Sequence, residues 1–162
     1  MKKDSIFDAL RKELEGDLYT DDIQRILYAT DASAYREVPL AVTRPASVSD
    51  IRKILAFARN TGGSVIPRGA GTSLAGQVVG PGIVMDISRY LNHILDFNPD
   101  ERWVRVEPGV VLAELNRYLA PHRFQFGPET STANRCCMGG MLGNNSCGAH
   151  SLIHGSVRDH IL

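Results

Sequence analysis

The sequence predicts an α+β protein made of two small lobes. Between residues 40 and 87, short apolar runs alternate with an amphipathic helical pattern, which indicates a β-α-β unit and a small parallel sheet. From residue 91 onward, two further runs flank a polar turn, which is typical of an antiparallel hairpin. Glycine-rich segments are expected to lie between the two lobes, and a length of 162 residues corresponds to about one domain.

The first 30 residues are predicted to form a helical segment with two helices, over Ser5–Leu14 and Thr20–Tyr28. Thr20 is the expected N-cap of the second helix, and Gly16 the expected C-cap of the first. The residues predicted to face inward are Ile6, Leu10 and Leu14 in the first helix and Ile23, Ile26 and Leu27 in the second. Residues 31–39 show no periodicity and are predicted to be a connection.

The first lobe is predicted to extend from about residue 40 to residue 90. A strand over Leu40–Thr43 is followed by a helix that begins at Ser47, where Ser47 and Asp50 resemble a capping box with Asp in place of Glu. The helix should end at Gly62 and Gly63. Two further strands are predicted at residues 64–67 and 83–87, with a glycine loop between them.

The second lobe is predicted to extend from about residue 91 to residue 162. Its hairpin pairs His93–Phe97 with Trp103–Glu107, and a helix follows over Val110–Leu119. From Gly127 onward the chain is rich in Gly, Ser, Thr, Asn and Cys. This composition predicts loops that need a ligand to wrap around.

Composition and charge exclude several classes of protein. Lys and Arg together number 18, as do Asp and Glu, so no net field attracts nucleic acid or anionic lipid. No segment approaches the roughly 20 apolar residues of a membrane-spanning helix. The segment from Met1 to Asp8 has no apolar core of a secretory signal, so we expect a cytoplasmic protein.

The three cysteines, Cys136, Cys137 and Cys147, are predicted to be reduced thiols. Their spacing contains no C-x-x-C pair, and adjacent cysteines chelate a tetrahedral ion poorly. We therefore expect no metal site.

A glycine loop, Arg68–Gln77, directly follows a predicted strand. Gly69 and Gly71 allow positive φ and a close approach of the backbone, and consecutive N–H groups in such a turn can bind an anion. The loop lacks the Lys of a P-loop, and Leu74 occupies the third glycine of a dinucleotide fingerprint. A pyrophosphate is the expected ligand, and a tight turn without a ligand is the alternative.

A second glycine-rich segment, Met138–Gly148, contains four glycines and two asparagines. Asparagine tolerates the left-handed region and offers amide donors and acceptors. Two such segments in one chain predict that both contact one extended ligand.

These motifs resemble the vanillyl-alcohol-oxidase or PCMH-type FAD-binding domain, in the group of FAD-linked oxidases similar to D-lactate dehydrogenase and the glycolate oxidase FAD subunit. The resemblance extends from about Leu27 to the last residue. The segments that carry it are Pro67–Ser73, Val104–Gly109, Phe126–Glu129, Gly139–Gly148 and Asp159–Leu162.

The resemblance implies a two-lobed fold that binds FAD and a flavin that accepts a hydride from a 2-hydroxy acid. Residues 67–73 would hold the pyrophosphate, Val106–Val110 would lie on the lobe that receives the adenine, and residues 128–132 with 139–146 would line the ribityl chain and flavin ring. The implied FAD-binding residues are Pro67, Arg68, Gly69, Ala70, Gly71, Thr72, Ser73, Pro128, Glu129, Thr130, Ser131, Thr132, Gly139, Gly140, Gly143, Asn144, Asn145 and Ser146.

The sequence departs from the family pattern at three positions. Thr72 stands where some members carry the His that bonds the flavin covalently, so non-covalent FAD is expected. Cys137 replaces a usual Thr and Thr130 a frequent Pro. Covalent attachment at Cys136 or Cys137 is the alternative.

The motifs identify no catalytic residue. His150 is a candidate for contact with the flavin, while the resemblance implies that substrate-binding residues come mainly from a later domain. Alternative functions are a nucleotide-binding or structural module without redox activity, and the same fold acting on another alcohol, aldehyde or UDP-sugar substrate.

The last residues, Asp159–Leu162, are predicted to begin a strand of a hairpin that the family continues beyond them. A later glycine-containing segment and a substrate domain would then complete the flavin site. We therefore expect the 162-residue chain alone to be incomplete at its carboxyl end and to bind FAD weakly or not at all. We also expect it to be inactive and to self-associate through an exposed strand edge.

Overall fold

The computed structural model describes residues 3–162 and divides into two compact units, Met1–Leu91 and Asn92–Leu162. Met1 and Lys2, which belong to the Met1–Asp8 segment that is expected to contain no secretory signal, lie outside the described residues. The first unit contains α1 (Lys3–Glu13), β1 (Asp17–Tyr19), α2 (Asp22–Leu27), β2 (Ala41–Arg44), α3 (Val48–Thr61), β3 (Val65–Arg68) and β4 (Ile83–Asp86). The second unit contains β5 (Ile94–Asn98), β6 (Trp103–Val106), α4 (Leu112–Leu119), α5 (Met138–Gly143) and α6 (Ser151–His154), with 3₁₀ turns at Ala120–His122 and Val157–His160.

The sheet of the first unit has the order β1-β2-β4-β3. Strands β2, β4 and β3 are parallel, whereas β1 is antiparallel to β2. The second unit contains the antiparallel pair β5-β6. This topology confirms the predicted α+β class. The first 30 residues, predicted to be helical, also contribute β1 to the sheet.

The central strand β4 is buried along its whole length, as expected for a parallel strand covered on both faces. Helix α3 packs Ile54 and Ala58 into the same core, where α1 contributes Phe7 and Leu10. The ring of Phe7 lies 5.2 Å from that of Phe57 on α3. These contacts hold the helices against the sheet that carries the first glycine loop.

Asp50 at the start of α3 has a role that differs from the predicted capping box. Ser47 caps α3 by accepting a hydrogen bond from the Asp50 N–H at 3.2 Å, as expected. The fully buried Asp50 carboxylate does not return to Ser47; it accepts from the N–H groups of Glu15 (3.1 Å), Gly16 (2.9 Å) and Ala46 (3.0 Å). Asp50 therefore joins the α1–β1 connection to the start of α3.

The predicted inward face of α2 is wrong. Ile23, Ile26 and Leu27 are 74%, 51% and 63% exposed, and none of the helix residues is buried. The helix is held by polar contacts instead, since Asp21 caps it and Arg25 Nε donates to the Pro39 carbonyl at 2.8 Å. In α1, Leu10 is buried as predicted, while Phe7 is buried in place of the 40%-exposed Ile6.

The core of the second unit is formed mainly by α4 and α5. Leu112, Leu115 and Leu119 of α4 are buried against Met138 and Met141 of α5. Phe97 of β5 packs edge-on against Phe124 at 5.8 Å between ring centroids. The hairpin residues Ile94, Phe97, Val104 and Val106 thus pack against this core.

The prediction that only loops follow Gly127 is wrong, because the glycine-rich segment forms α5. Met138 and Met141 are three residues apart on one helical face, so their burial compensates for the poor helix propensity of the glycines. The strand expected to begin at Asp159 is also absent from the described residues. Ser156 and Asp159 form a capping box that turns the chain into the 3₁₀ turn.

Asp50→Asn should destabilise the chain by about 2–3 kcal/mol at pH 7, because it replaces a charged acceptor of three backbone N–H groups. Burial alone would raise the pKa of Asp50, but these donors outweigh it and hold the pKa below its ordinary 3.8. The stabilisation is present above that ordinary value and is lost as pH falls through the folded-state pKa. Urea unfolding from pH 7 to pH 3 should therefore show the difference between the two proteins shrinking.

Asp8→Asn is the matched control, because Asp8 forms an exposed ion pair with Arg11 at 2.7 Å. Its cost should stay below about 1 kcal/mol. Equal stabilities of the two variants at pH 7 would show that Asp50 does not stabilise the contact between the α1–β1 connection and the start of α3.

Candidate cofactor site

The three parallel strands of the first unit each end in a charged residue, and all three residues contact Tyr28. Arg44 ends β2, Arg68 ends β3 and Asp86 ends β4. The guanidinium groups of Arg44 and Arg68 lie 5.7 Å and 5.2 Å from the centre of the Tyr28 ring. Ligands of sheets with parallel strands bind outside the carboxyl ends of the strands, so this edge is the expected place for a site.

The Tyr28 hydroxyl connects two of these strand ends. It donates to Asp86 Oδ2 at 2.5 Å and accepts from Arg44 Nε at 3.1 Å. Burial and the hydrogen bond to Asp86 raise the pKa of Tyr28 above its ordinary 10.0, so the hydroxyl stays protonated at neutral pH. The other Asp86 oxygen accepts from the N–H and the hydroxyl of Ser88 at 2.9 and 2.6 Å.

Arg68 is the cation at this edge of the sheet that lies against the glycine loop. Its Nη1 donates to the Tyr28 carbonyl at 3.3 Å, and no ion pair of Arg68 occurs among residues 3–162. The side chain lies against Gly71, where an added Cβ would stand 2.6 Å from Arg68 Nη2. A guanidinium in this position can donate to an anionic oxygen with its remaining N–H groups.

The glycine loop presents backbone donors next to this guanidinium. In the described part of the chain, none of the N–H groups from Gly69 to Ser73 donates to a backbone carbonyl. Gly71 has a φ of 66°, which favours glycine, and its carbonyl accepts from the Ala32 N–H at 3.0 Å. Unpaired N–H groups in a glycine turn bind anions. The residues present therefore fit a pyrophosphate.

A shallow cavity lies at the downstream end of the loop. Gly76, with a φ of 72°, lies directly under the Tyr35 ring, where a Cβ would come within 2.6 Å of a ring carbon. The cavity has a volume of about 260 Å³ and is lined by Tyr35, Arg36, Glu37, Ala75, Gly76 and Val79. The loop thus begins at a cation and ends at an aromatic side chain.

In the second unit, residues 128–132 lie next to the segment that follows α5. The Gly148 backbone passes so close to the Glu129 carbonyl that a Cβ would overlap it. Glu129 Oε2 pairs with His150 Nδ1 at 2.7 Å. Thr130 Oγ1 lies 3.3 Å from both Thr132 Oγ1 and Cys136 Sγ. Glu129 and Thr130, two of the predicted flavin-lining residues, therefore lie against residues 136 and 148–150 of the same unit.

The predicted ligand-binding residues in helix α5 and just after it fall into two groups. At Gly140 and Gly143 an added Cβ would enter open space, so the backbone is accessible there. Asn145 Oδ1 accepts from the Arg158 N–H at 3.0 Å, and Ser146 exchanges backbone hydrogen bonds with Met141 and Val157. Asn145 and Ser146 thus stabilise the turn, while the glycines leave an open surface.

The structure bears on the predicted alternatives of a covalent flavin bond at a cysteine and of a metal site. Cys136 and Cys137 are buried, with 5% and 3% of their surface exposed, while Cys147 is exposed. Within residues 3–162, no cluster of three or more His, Cys, Asp or Glu side chains is placed to hold a metal ion. None of the helices described is long and apolar enough to cross a membrane.

Sequence reasoning identified Arg68 and the glycine loop but missed Tyr28, Arg44 and Asp86. A detectable pattern was present, since each of the parallel strands ends its apolar run with a charged residue: AVTR, VIPR and IVMD. Parallel strands place such residues at one edge of the sheet. The contribution of Tyr28 has no local pattern, because it lies 58 residues from Asp86.

The family model described as FAD binding domain matches residues 39–162. D-2-hydroxyglutarate dehydrogenase of Escherichia coli (strain K12) is 42% identical over 150 residues, which cover 91% of this chain and 15% of that protein. The enzyme of the same name from Haemophilus influenzae is 40% identical, covering 98% of this chain and 16% of its own length. Glycolate oxidase subunit GlcD of Escherichia coli (strain K12) is 35% identical, covering 98% and 32% respectively.

The chain therefore spans about one sixth to one third of these relatives. Among solved structures, alkyldihydroxyacetonephosphate synthase has a TM-score of 0.84 at 20% identity, over 96% of this chain and 34% of that one. At this identity the similarity shows the fold alone. It agrees with the two-lobed fold that the motifs imply.

Tyr28→Phe should cost about 1–2 kcal/mol of unfolding free energy at pH 7, because Arg44 and Asp86 lose their shared partner. The raised pKa of Tyr28 means that the stabilisation is present below about pH 10 and is lost as pH rises through the folded-state pKa. The difference between wild type and Tyr28→Phe should therefore narrow in urea unfolding at alkaline pH.

Tyr35→Phe serves as the control, since Tyr35 is a 64%-exposed tyrosine of the same unit. It should change the unfolding free energy by less than about 0.5 kcal/mol. A Tyr28→Phe protein that matches this control at every pH would contradict the proposed network.

Proposed function

The chain belongs to the family of FAD-binding domains, and from this premise we propose that it holds the FAD of an oxidoreductase that oxidises a 2-hydroxy acid. The family drawn from the motifs is confirmed by the match over residues 39–162 and by relatives named as dehydrogenases or oxidases of 2-hydroxy acids. The activity of the whole protein and its substrate are part of the proposal.

The observation that carries the proposal is the uncompensated guanidinium of Arg68 beside the unpaired N–H groups of Gly69–Ser73. A pyrophosphate carries negative charge that both kinds of donor can bind, and charge-assisted hydrogen bonds are about twice as strong as neutral ones. In this proposal Pro67–Ser73 hold the pyrophosphate. Tyr28 keeps the Arg68 side chain in place.

In the second unit, the proposed contacts are made by residues 128–132, Gly139, Gly140, Gly143 and residues 144–146. The open space at Gly140 and Gly143 supports this, because a ring system can approach a helix backbone only where no Cβ intervenes. These residues are proposed to line the ribityl chain and the flavin ring.

Bound FAD would supply the acceptor for the hydride of the hydroxy acid. The chain's own residues bind and orient the cofactor, and none of them is assigned as a catalytic base. FAD is proposed to be non-covalent, because Thr72 stands where some members of this family carry a bonding His. The burial of Cys136 and Cys137 supports this reading.

For the substrate, we take the names of the relatives as the guide. The relatives named D-2-hydroxyglutarate dehydrogenase are 40–43% identical, and the two Escherichia coli GlcD sequences are 35% identical. D-2-hydroxyglutarate is therefore the first substrate proposed, ahead of glycolate and D-lactate. A cytoplasmic location is part of the same proposal.

The proposal is tested by purifying a protein of the relatives' full length that carries this chain. Its flavin absorbance and its reduction of an artificial electron acceptor are recorded. The expected result is bound FAD, and reduction of the acceptor with D-2-hydroxyglutarate faster than with glycolate or D-lactate. Failure to bind added FAD would contradict the cofactor assignment. Bound FAD without turnover of any of the three acids would contradict the substrate class alone.

Gly71→Ala should weaken FAD binding about tenfold or more. The substitution strains a residue at φ 66° and pushes a Cβ against the Arg68 guanidinium, which then leaves its position beside the loop. Isothermal titration of the flavin-free protein with FAD measures the effect.

Gly62→Ala is a matched control, because Gly62 has a φ of 69° in the same unit but no atom within 4 Å of an added Cβ. Both substitutions should cost about 1 kcal/mol of stability. Only Gly71→Ala should change FAD affinity. Equal FAD affinities of the two variants would show that Arg68 and its loop do not bind the cofactor.

A further inference from the structure

Asp31 carries a buried polar atom that has no hydrogen-bond partner among the described residues. Its Oδ2 is buried, whereas its Oδ1 accepts from the Ser33 N–H at 2.8 Å. A buried carboxylate oxygen without a donor is costly, and native structures contain few such atoms. A donor from outside the chain would remove this cost.

The position of Asp31 places it beside the proposed pyrophosphate loop. The next residue, Ala32, donates its N–H to the Gly71 carbonyl at 3.0 Å. Three residues upstream, the Tyr28 carbonyl accepts from Arg68 Nη1 at 3.3 Å. The segment from Tyr28 to Ala32 therefore lies along the loop within one unit, and the Ser33 hydrogen bond fixes the orientation of the carboxylate.

The chemistry of a carboxylate limits what the donor can be. An ionised carboxylate only accepts hydrogen bonds, so it cannot bind a phosphate oxygen and would be repelled by one. In FAD, hydroxyl groups flank the pyrophosphate on both sides, from the ribose of the adenosine and from the ribityl chain. These hydroxyls are neutral donors from which a carboxylate next to the loop could accept a hydrogen bond.

We propose that Asp31 is a cofactor-binding residue that accepts, through Oδ2, a hydrogen bond from a ribose or ribityl hydroxyl adjacent to the FAD pyrophosphate. This inference rests on the proposed function of the chain. In this proposal Arg68 binds the negative charge of the phosphates. Asp31 favours a nucleotide, which carries a hydroxyl group, over inorganic phosphate or pyrophosphate, which do not.

Asp31→Asn tests the proposal. Asn retains an oxygen for the Ser33 N–H and replaces the charged acceptor by an amide, so the turn is kept and the charge-assisted hydrogen bond is lost. FAD affinity of the flavin-free protein should fall about tenfold, while affinity for inorganic pyrophosphate should stay constant or rise. The melting temperature without FAD should stay constant or rise, because a buried charge has been removed.

Asp21→Asn is the matched control, since Asp21 also accepts a backbone hydrogen bond through Oδ1, from Gln24 at 3.0 Å, but at an exposed helix cap. It should leave FAD affinity unchanged. The same titrations with ADP, which contains the ribose, and with FMN, which contains the ribityl chain, show which of the two groups supplies the hydroxyl. A weakened ADP complex of Asp31→Asn assigns the ribose, and a weakened FMN complex assigns the ribityl chain.

An Asp31→Asn protein that binds FAD as tightly as wild type would overturn the proposal. So would a lower melting temperature of the FAD-free variant, if that loss of stability accounts for the lower FAD affinity. Wild-type protein that binds no FAD would instead refute the proposed function itself.

Discussion

Tyr28 is the residue on which the geometry of the candidate site depends. Its hydroxyl joins Asp86 to Arg44, its ring faces the guanidinium groups of Arg44 and Arg68, and its carbonyl accepts from Arg68. Charges that are buried or half-buried are costly unless they are hydrogen-bonded, and Tyr28 is a hydrogen-bond partner of both Arg44 and the buried Asp86. Arg68 is held by the same residue without receiving a carboxylate, so its positive charge stays available. The first unit is thus organised to present one cation beside a turn of free N–H groups.

Glycine has three different physical functions in this chain. At Gly71 it allows a positive φ and leaves room for Arg68. At Gly148 it allows the Glu129 carbonyl to pass closely, which brings a predicted flavin-lining residue against the segment that follows α5. At Gly140 and Gly143 it leaves an open helix surface. Only the first two functions stabilise the polypeptide itself; the open surface of α5 makes sense for a chain that binds a cofactor.

Local patterns predicted the parts of the fold that depend on local physics. The strands near residues 41, 65 and 83 and helix α3 were placed within one or two residues, because apolar periodicity and the Ser47 cap specify them. Helix α5 was missed because glycine propensity argued against it, whereas the burial of Met138 and Met141 decides its conformation. The exposed face of α2, the threefold acceptor role of Asp50 and the Tyr28 network were also missed. Asp50 meets residues 34 and 35 positions away, and no periodic pattern records contacts over such separations.

We propose above all that the loop Gly69–Ser73 and Arg68 bind the pyrophosphate of FAD. The most direct measurement is an experimental structure of the purified protein with bound FAD. We expect pyrophosphate oxygens within hydrogen-bond distance of the N–H groups of this loop and of the Arg68 guanidinium. A pyrophosphate bound elsewhere, with these N–H groups directed at solvent, would contradict it.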